Sequence, residues 1–212
     1  MKIMNRFVLC AVMALTSTAV FAQLGGLGGA LGGIGGGSSS SAGSVSPERI
    51  VNGYVKGQSH VLTGEQFMIR ALGLKTAEAK MVLEAKALTG TPTKSEVDQS
   101  KTVVENGSRA LSDGMKEHAG QMSEASKKEF HKGTVSLAKG LQEYVSMSAD
   151  ARNYRPSVSN MGRSAVAASS IAPSLPGSIS SLSATLKAAI QFMKDNDMPP
   201  LEKNATAGLP GF

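Results

Sequence analysis

The chain has 212 residues, 22 Lys and Arg against 16 Asp and Glu for a formal charge of +6, no Trp, and a single cysteine, Cys10. The basic excess is small and its lysines alternate with glutamates, the pattern of solvated helix faces and not of a nucleic-acid footprint, which would join clustered bases to stacking aromatics. With no cysteine after position 10, residues 23–212 cannot hold a disulfide framework or a Cys-ligated zinc or iron–sulfur site.

Residues 1–22, MKIMNRFVLCAVMALTSTAVFA, carry the tripartite pattern of a secretory signal peptide. Lys2 and Arg6 form the basic start, 7–15 the apolar middle, and Val20 with Ala22 the small residues that a signal peptidase accepts, so cleavage is expected after Ala22. Losing Lys2 and Arg6 would lower the charge to +4. The apolar run falls short of the roughly 20 residues that a membrane span requires. Cys10 follows Leu9, not the small residue that a lipoprotein signal demands, and reads as part of the apolar middle. A periplasmic or secreted protein of the bacterial envelope is therefore expected.

Residues 23–45 are Gly/Ser-rich and read as a flexible linker, because glycine loses much backbone entropy on ordering and offers no side chain to pack. Glycines four apart among Leu24, Leu27, Leu31 and Ile34 also resemble a membrane helix-packing pattern, which is the basis of the alternative, membrane-active reading. Folding is expected to begin at Ser46-Pro47-Glu48, a cap residue, a first-turn proline and a first-turn acid. Val51, Tyr54, Val55, Val61, Leu62, Met68, Ile69 and Leu72 then recur at helical spacing, with Gly57 and Gly64 as points of a break or bend and Gly73 as the stop. A second helix is expected from Thr76 to about Leu88, ended by Gly90 and Pro92.

Thr93-Lys94-Ser95-Glu96 has the form of a capping box, and Ser126-Lys127-Lys128-Glu129 of a second. The first precedes a stripe of Val97, Val104, Leu111, Met115, His118 and Met122; the second precedes Phe130, Thr134, Leu137, Leu141, either Tyr144 or Val145, and Ser148. The short connection between them predicts a long antiparallel hairpin over 94–152. Its packing is assigned to Val104, Leu111, Met115, Phe130, Leu137 and Leu141. Gly107 and Gly114, and likewise Gly133 and Gly140, are seven apart, a spacing that would let two backbones approach closely or else mark a soft, mobile helix. Pro156 ends this helix, 157–172 is weakly periodic, and a last helix is expected after Pro173 and Pro176, carrying Ile179, Leu182, Leu186, Ala189, Ile190 and Met193. Residues 198–212 read as a disordered tail.

The sequence therefore predicts an all-α protein, a small up-down bundle of four to five helices over 46–197 around a long antiparallel pair. No catalytic motif is found: no serine sits in a nucleophile motif, no phosphate loop or dinucleotide fingerprint is present, and no HExxH occurs. His60, His118 and His131 are the histidines; His118 and His131 with Glu117 and Glu129 form a weak candidate metal set where the hairpin turns. No metal, cofactor or nucleic acid is expected. The functional expectation is a non-enzymatic interaction or scaffold protein that meets a protein partner or itself through amphipathic helices. Its alternatives are a membrane-active or envelope-associated helical protein making peripheral membrane contact, and then a small-ligand or metal-binding bundle.

Overall fold

The structure, a computed structural model, describes residues 45–212 apart from 88–89, 119–121 and 157–161, and no side chain at 85–87. The expected signal and all but the last residue of the expected linker lie outside this range. Five helices follow in order: α1 (Pro47–Ala71), α2 (Lys75–Ala87), α3 (Lys94–Glu117), α4 (Glu124–Asn153) and α5 (Arg163–Asp195), with a short 3-10 turn at Lys203–Ala205. No strand occurs among the described residues, and the all-α bundle expected from the periodicity is what the chain forms.

Helix α1 is the hub, packing against each of the other four, while α4, α5, α3 and α2 surround it in that spatial order. Its eleven buried residues include Ile50, Tyr54, Val61, Leu62, Met68 and Ile69, a stripe too wide for one neighbour to cover. Cross-links fix the directions. Tyr54 reaches Ser100 and Glu65 reaches Ser108, so α3 runs parallel to α1; Ser170 reaches Asp98 and Thr185 reaches Ser108, so α5 runs parallel to α3. Helices α2 and α4 run the opposite way. The ring is open between α2 and α4, where Arg70 of α1 spans the seam to Glu78 of α2 (2.6 Å) and Glu129 of α4 (3.3 Å).

The closest pair is α1 with α4, not α3 with α4 as the short connection predicts. The reason is glycine placement. Gly57 and Gly64 do not break α1; they lie opposite Gly140 and Gly133 of α4, and the two backbones meet there. A Cβ on Gly64 would lie 2.7 Å from the Leu137 amide nitrogen and 2.8 Å from the Gly133 carbonyl oxygen; one on Gly133 would lie 2.6 Å from the Gly64 carbonyl oxygen. Ion pairs mark the same antiparallel register, Arg49 with Asp150 at 2.8 Å and Lys56 with Glu143 at 2.6 Å. Gly107 and Gly114 have a different role. They admit side chains, Met81 and Glu65 at the first and Leu72 and Leu74 at the second.

Three further expectations change. The Thr93 capping box forms in both halves, the Thr93 hydroxyl accepting from the Glu96 amide at 3.3 Å and the Glu96 carboxylate from the Thr93 amide at 2.6 Å. The second box does not form: α4 starts earlier, capped by Ser123, whose hydroxyl accepts from the Ser126 amide at 3.1 Å, and Glu129 is engaged by Arg70 instead. Helix α5 runs unbroken through Pro173 and Pro176. Both prolines lie on its exposed face, as does Ser169, whose carbonyl loses its partner to Pro173, so water can satisfy what the missing N–H groups leave open. Finally, the tail at 198–212 is irregular but packed: Met198, Ala205 and Leu209 are buried, and the Gln142 amide donates to the carbonyls of Asn204 and Ala207.

Alanine at Gly64 or at Gly133 is expected to destabilise the fold by ~1–3 kcal/mol, the cost of forcing two packed backbones apart. Gly177→Ala in α5, where an added methyl meets nothing within 4 Å, is expected to be neutral or stabilising by up to ~1 kcal/mol. Urea denaturation of the three variants compares them directly.

Candidate functional site

Polar side chains converge where α1, α3, α4 and α5 meet. Tyr54 of α1 and Tyr144 of α4 stack with ring centroids 5.8 Å apart and planes 11° from parallel. The Tyr54 hydroxyl lies 2.8 Å from the Ser100 hydroxyl, which donates to the Val97 carbonyl at 2.9 Å. The Tyr144 hydroxyl donates to the Gln58 side-chain carbonyl, and the Gln58 amide donates to the Ser100 carbonyl at 3.1 Å. Burial holds both phenols above their ordinary range, so each is a neutral donor. Such a chain of bonds in a low-dielectric interior fixes α3 at one height on α1 and α4.

Outside this chain, a recess of about 390 Å³ opens between α3 and α5, with Gln58 and Tyr144 at its base. One wall is Asp98, Lys101, Thr102 and Glu105 of α3; the other is Ser174, Ser178 and Ser181 of α5, and the Lys101 ammonium spans between them to the Ser174 hydroxyl at 3.4 Å. Asp98 is clasped by Lys94, by Lys101 at 2.9 Å and by the Ser170 hydroxyl at 2.9 Å; the two lysine contacts lead in holding its carboxyl well below the usual range. The Ser174 and Ser178 hydroxyls donate back to carbonyls of their own helix, at 3.1 Å to Ser170 and 3.3 Å to Ser174. Since the Lys101 ammonium, bound to Asp98, also donates to the Ser174 hydroxyl, the acceptors left open in the recess are those of Ser178, Ser181 and Glu105.

One helical turn beyond the recess lies Glu65, wholly buried. Its Oε1 accepts from the Ser108 hydroxyl at 2.6 Å, and Ser108 in turn meets the Thr185 hydroxyl at 3.2 Å, so α1, α3 and α5 join at one carboxyl. Its Oε2 has no hydrogen-bond partner and faces Gly107, where a Cβ would collide with it. Burial pushes this carboxyl up to about 8, against a smaller opposing effect of the Ser108 bond. Glu65 is thus an uncharged acid at neutral pH.

The residues singled out from sequence distribute as follows. Leu111, Phe130, Leu137 and Leu141 are completely buried and Met115 nearly so, whereas Val104 is half-buried and lines the recess. The metal candidates do not assemble: Glu117 is exposed at the end of α3, His118 follows it as the cap, Glu129 is paired with Arg70, and His131 lines a separate hollow of about 330 Å³ between α4 and Glu202, Asn204 and Ala205. Among the described residues no three His, Cys, Asp or Glu side chains come together to hold a metal ion. Sequence reading missed the recess and Glu65. Ser170, Ser174, Ser178 and Ser181 stand at steps of four, four and three, the signal of one helix face, and Glu65 sits on the apolar stripe between Leu62 and Ile69.

Comparison with known protein families, with curated proteins and with solved structures finds no match to this chain.

Gln58→Leu and Tyr144→Phe each strand a buried partner and are expected to cost ~1–3 kcal/mol. The double variant, in which neither group is left behind, is expected to cost less than their sum by at least ~0.5 kcal/mol. A double-mutant cycle by chemical denaturation reads this coupling.

Proposed function

We propose that the protein is an exported, non-enzymatic helical interaction module, and that the recess between α3 and α5 is its recognition site. The recess carries this reading. It is a pre-formed hollow whose base is held by a buried hydrogen-bonded chain, the arrangement that binding sites use to fix polar specificity without moving. The Ser178, Ser181 and Glu105 oxygens left open beside the already bonded Lys101 suit a partner that offers hydrogen-bond donors, such as free peptide N–H groups. The export component rests on the pattern at 1–22.

Membrane activity is the less favoured reading for a specific reason. The apolar stripes of α1, α4 and α5 are consumed in the bundle's own core, and no described helix is long and apolar enough to cross a membrane. Exposed large apolar residues among those described are Leu83, Val166 and Phe212, on separate elements. A membrane-surface helix would instead present a continuous bulky face opposite its bases.

The test is site-specific photocrosslinking in the native cells, with a photoreactive phenylalanine analogue placed at Ser178 in the recess or at the exposed Lys132 of α4. Discrete protein adducts at 178 that are absent at 132 are expected. Identical patterns at both sites would overturn the recess as a recognition site, and flotation of the purified protein with anionic vesicles would favour the membrane reading instead.

A further inference from the structure

A buried carboxyl with one unpartnered oxygen is costly to keep in a bundle core, since an apolar residue of similar volume would avoid the desolvation of a polar group. Glu65 occupies that position at the junction of the two recess walls with the hub helix. Its surroundings are specific. Helix α2 presents Met81, α3 presents Gly107 and Ser108, α5 presents Thr185 through Ser108, and α4 presents the phenol of Tyr144; no basic side chain pairs with the carboxyl among the described residues. Nothing there compensates a negative charge beyond the single Ser108 hydroxyl.

We propose that Glu65 is a proton-operated clasp on the recess: uncharged, it lets α3 close on α1 over the buried carboxyl, and loss of its proton leaves a charge that the Ser108 hydroxyl alone cannot compensate, which releases α3 and opens the recess wall. Geometry selects α3 as the element that moves. Helix α4 is locked to α1 backbone against backbone, whereas α3 is not among the elements that pack closely on α4 and meets α1 here through side chains at Gly107. Hydration of an ionised Glu65 is shortest through the part-buried Ser108 and Thr185, which lie between α3 and α5.

The direction with pH follows from linkage. The carboxyl titrates near 8 when enclosed and near its ordinary 4.5 when α3 is released, so the closed form holds a proton that the open form has lost between these values. The clasp is at full strength below about pH 4.5, weakens as pH rises, and reaches its minimum above about pH 8. Over that window the opening constant of α3 rises by about tenfold per unit of pH.

The functional meaning of the clasp rests on the recess reading above; the clasp itself is measured without any partner. Hydrogen exchange of the mature chain, corrected for intrinsic rates, is followed from pH 5 to 9 in segments 94–117 (α3) and 124–153 (α4). Expected is an opening of α3 that exceeds that of α4 at every pH, climbs about tenfold per unit to pH 8 and then levels. In Glu65→Gln the α3 opening should be flat with pH. Should that variant fail to fold, Ser108→Ala removes the hydroxyl that favours the ionised form and must move the levelling-off to higher pH. The proposal is overturned if α3 opens only together with α4, if the climb survives Glu65→Gln, or if Ser108→Ala leaves its position unchanged. Absence of crosslinks at Ser178 would remove the recognition reading while leaving these exchange profiles as they are.

Discussion

Backbone contact between α1 and α4 at Gly57, Gly64, Gly133 and Gly140 is the constraint on which the other packing relations depend. Two helices with side chains at those four positions would stand further apart, and the surfaces that α5 and α3 now cover would no longer match. The glycines are unfavourable to each helix alone, by about 1 kcal/mol apiece relative to alanine. Close packing of the neighbouring Val61, Met68, Leu137 and Leu141, all fully buried, offsets that cost. The same tight seam turns Tyr54 and Tyr144 face to face and so sets the height of the polar chain beneath the recess.

Against that tight half of the molecule stands a softer one. Where α3 meets α1, α2 and α5, the apolar contacts of Val97, Leu111 and Met115 are interrupted by hydrogen bonds and a buried carboxyl, and the short serines of α5 leave a hollow instead of filling it. Polar junctions of this kind define geometry through direction, whereas apolar ones define it through volume. A bundle whose two halves are held by such different means can keep one half fixed while the other responds, which is the property a recognition site on a small scaffold requires.

Much of the fold is legible in the sequence. Helical periodicity locates the first four helices and the second half of α5, Thr93 and Glu96 announce the start of α3, and Leu111, Leu137 and Leu141 fall on the buried stripe as their spacing implies. Which helices become neighbours is not legible in the same way. Glycine pairs seven apart occur at 57 and 64, at 107 and 114, and at 133 and 140, and an apolar stripe does not say which partner it meets. Only the space around each glycine separates the backbone seam at 57, 64, 133 and 140 from the side-chain notches at 107 and 114. Continuity of α5 was hidden by Pro173 and Pro176, because a proline's cost in a helix depends on whether the freed carbonyl faces water, which is a property of the assembled bundle. With α5 cut in two, the serines at 170, 174, 178 and 181 belong to different segments and the recess cannot be seen.

The seam between α1 and α4 joins the first helix of the bundle to the fourth, so its contacts link positions as far apart as Gly57 and Gly140. Closing so long a loop before any of those contacts can form slows folding relative to a bundle of sequential neighbours. Although α2 and α3 cover part of the hub helix, the face that α4 occupies stays uncovered until α4 joins it. For a chain proposed to be exported, that delay has a use: the topology itself postpones the compact state until α4 is available to α1.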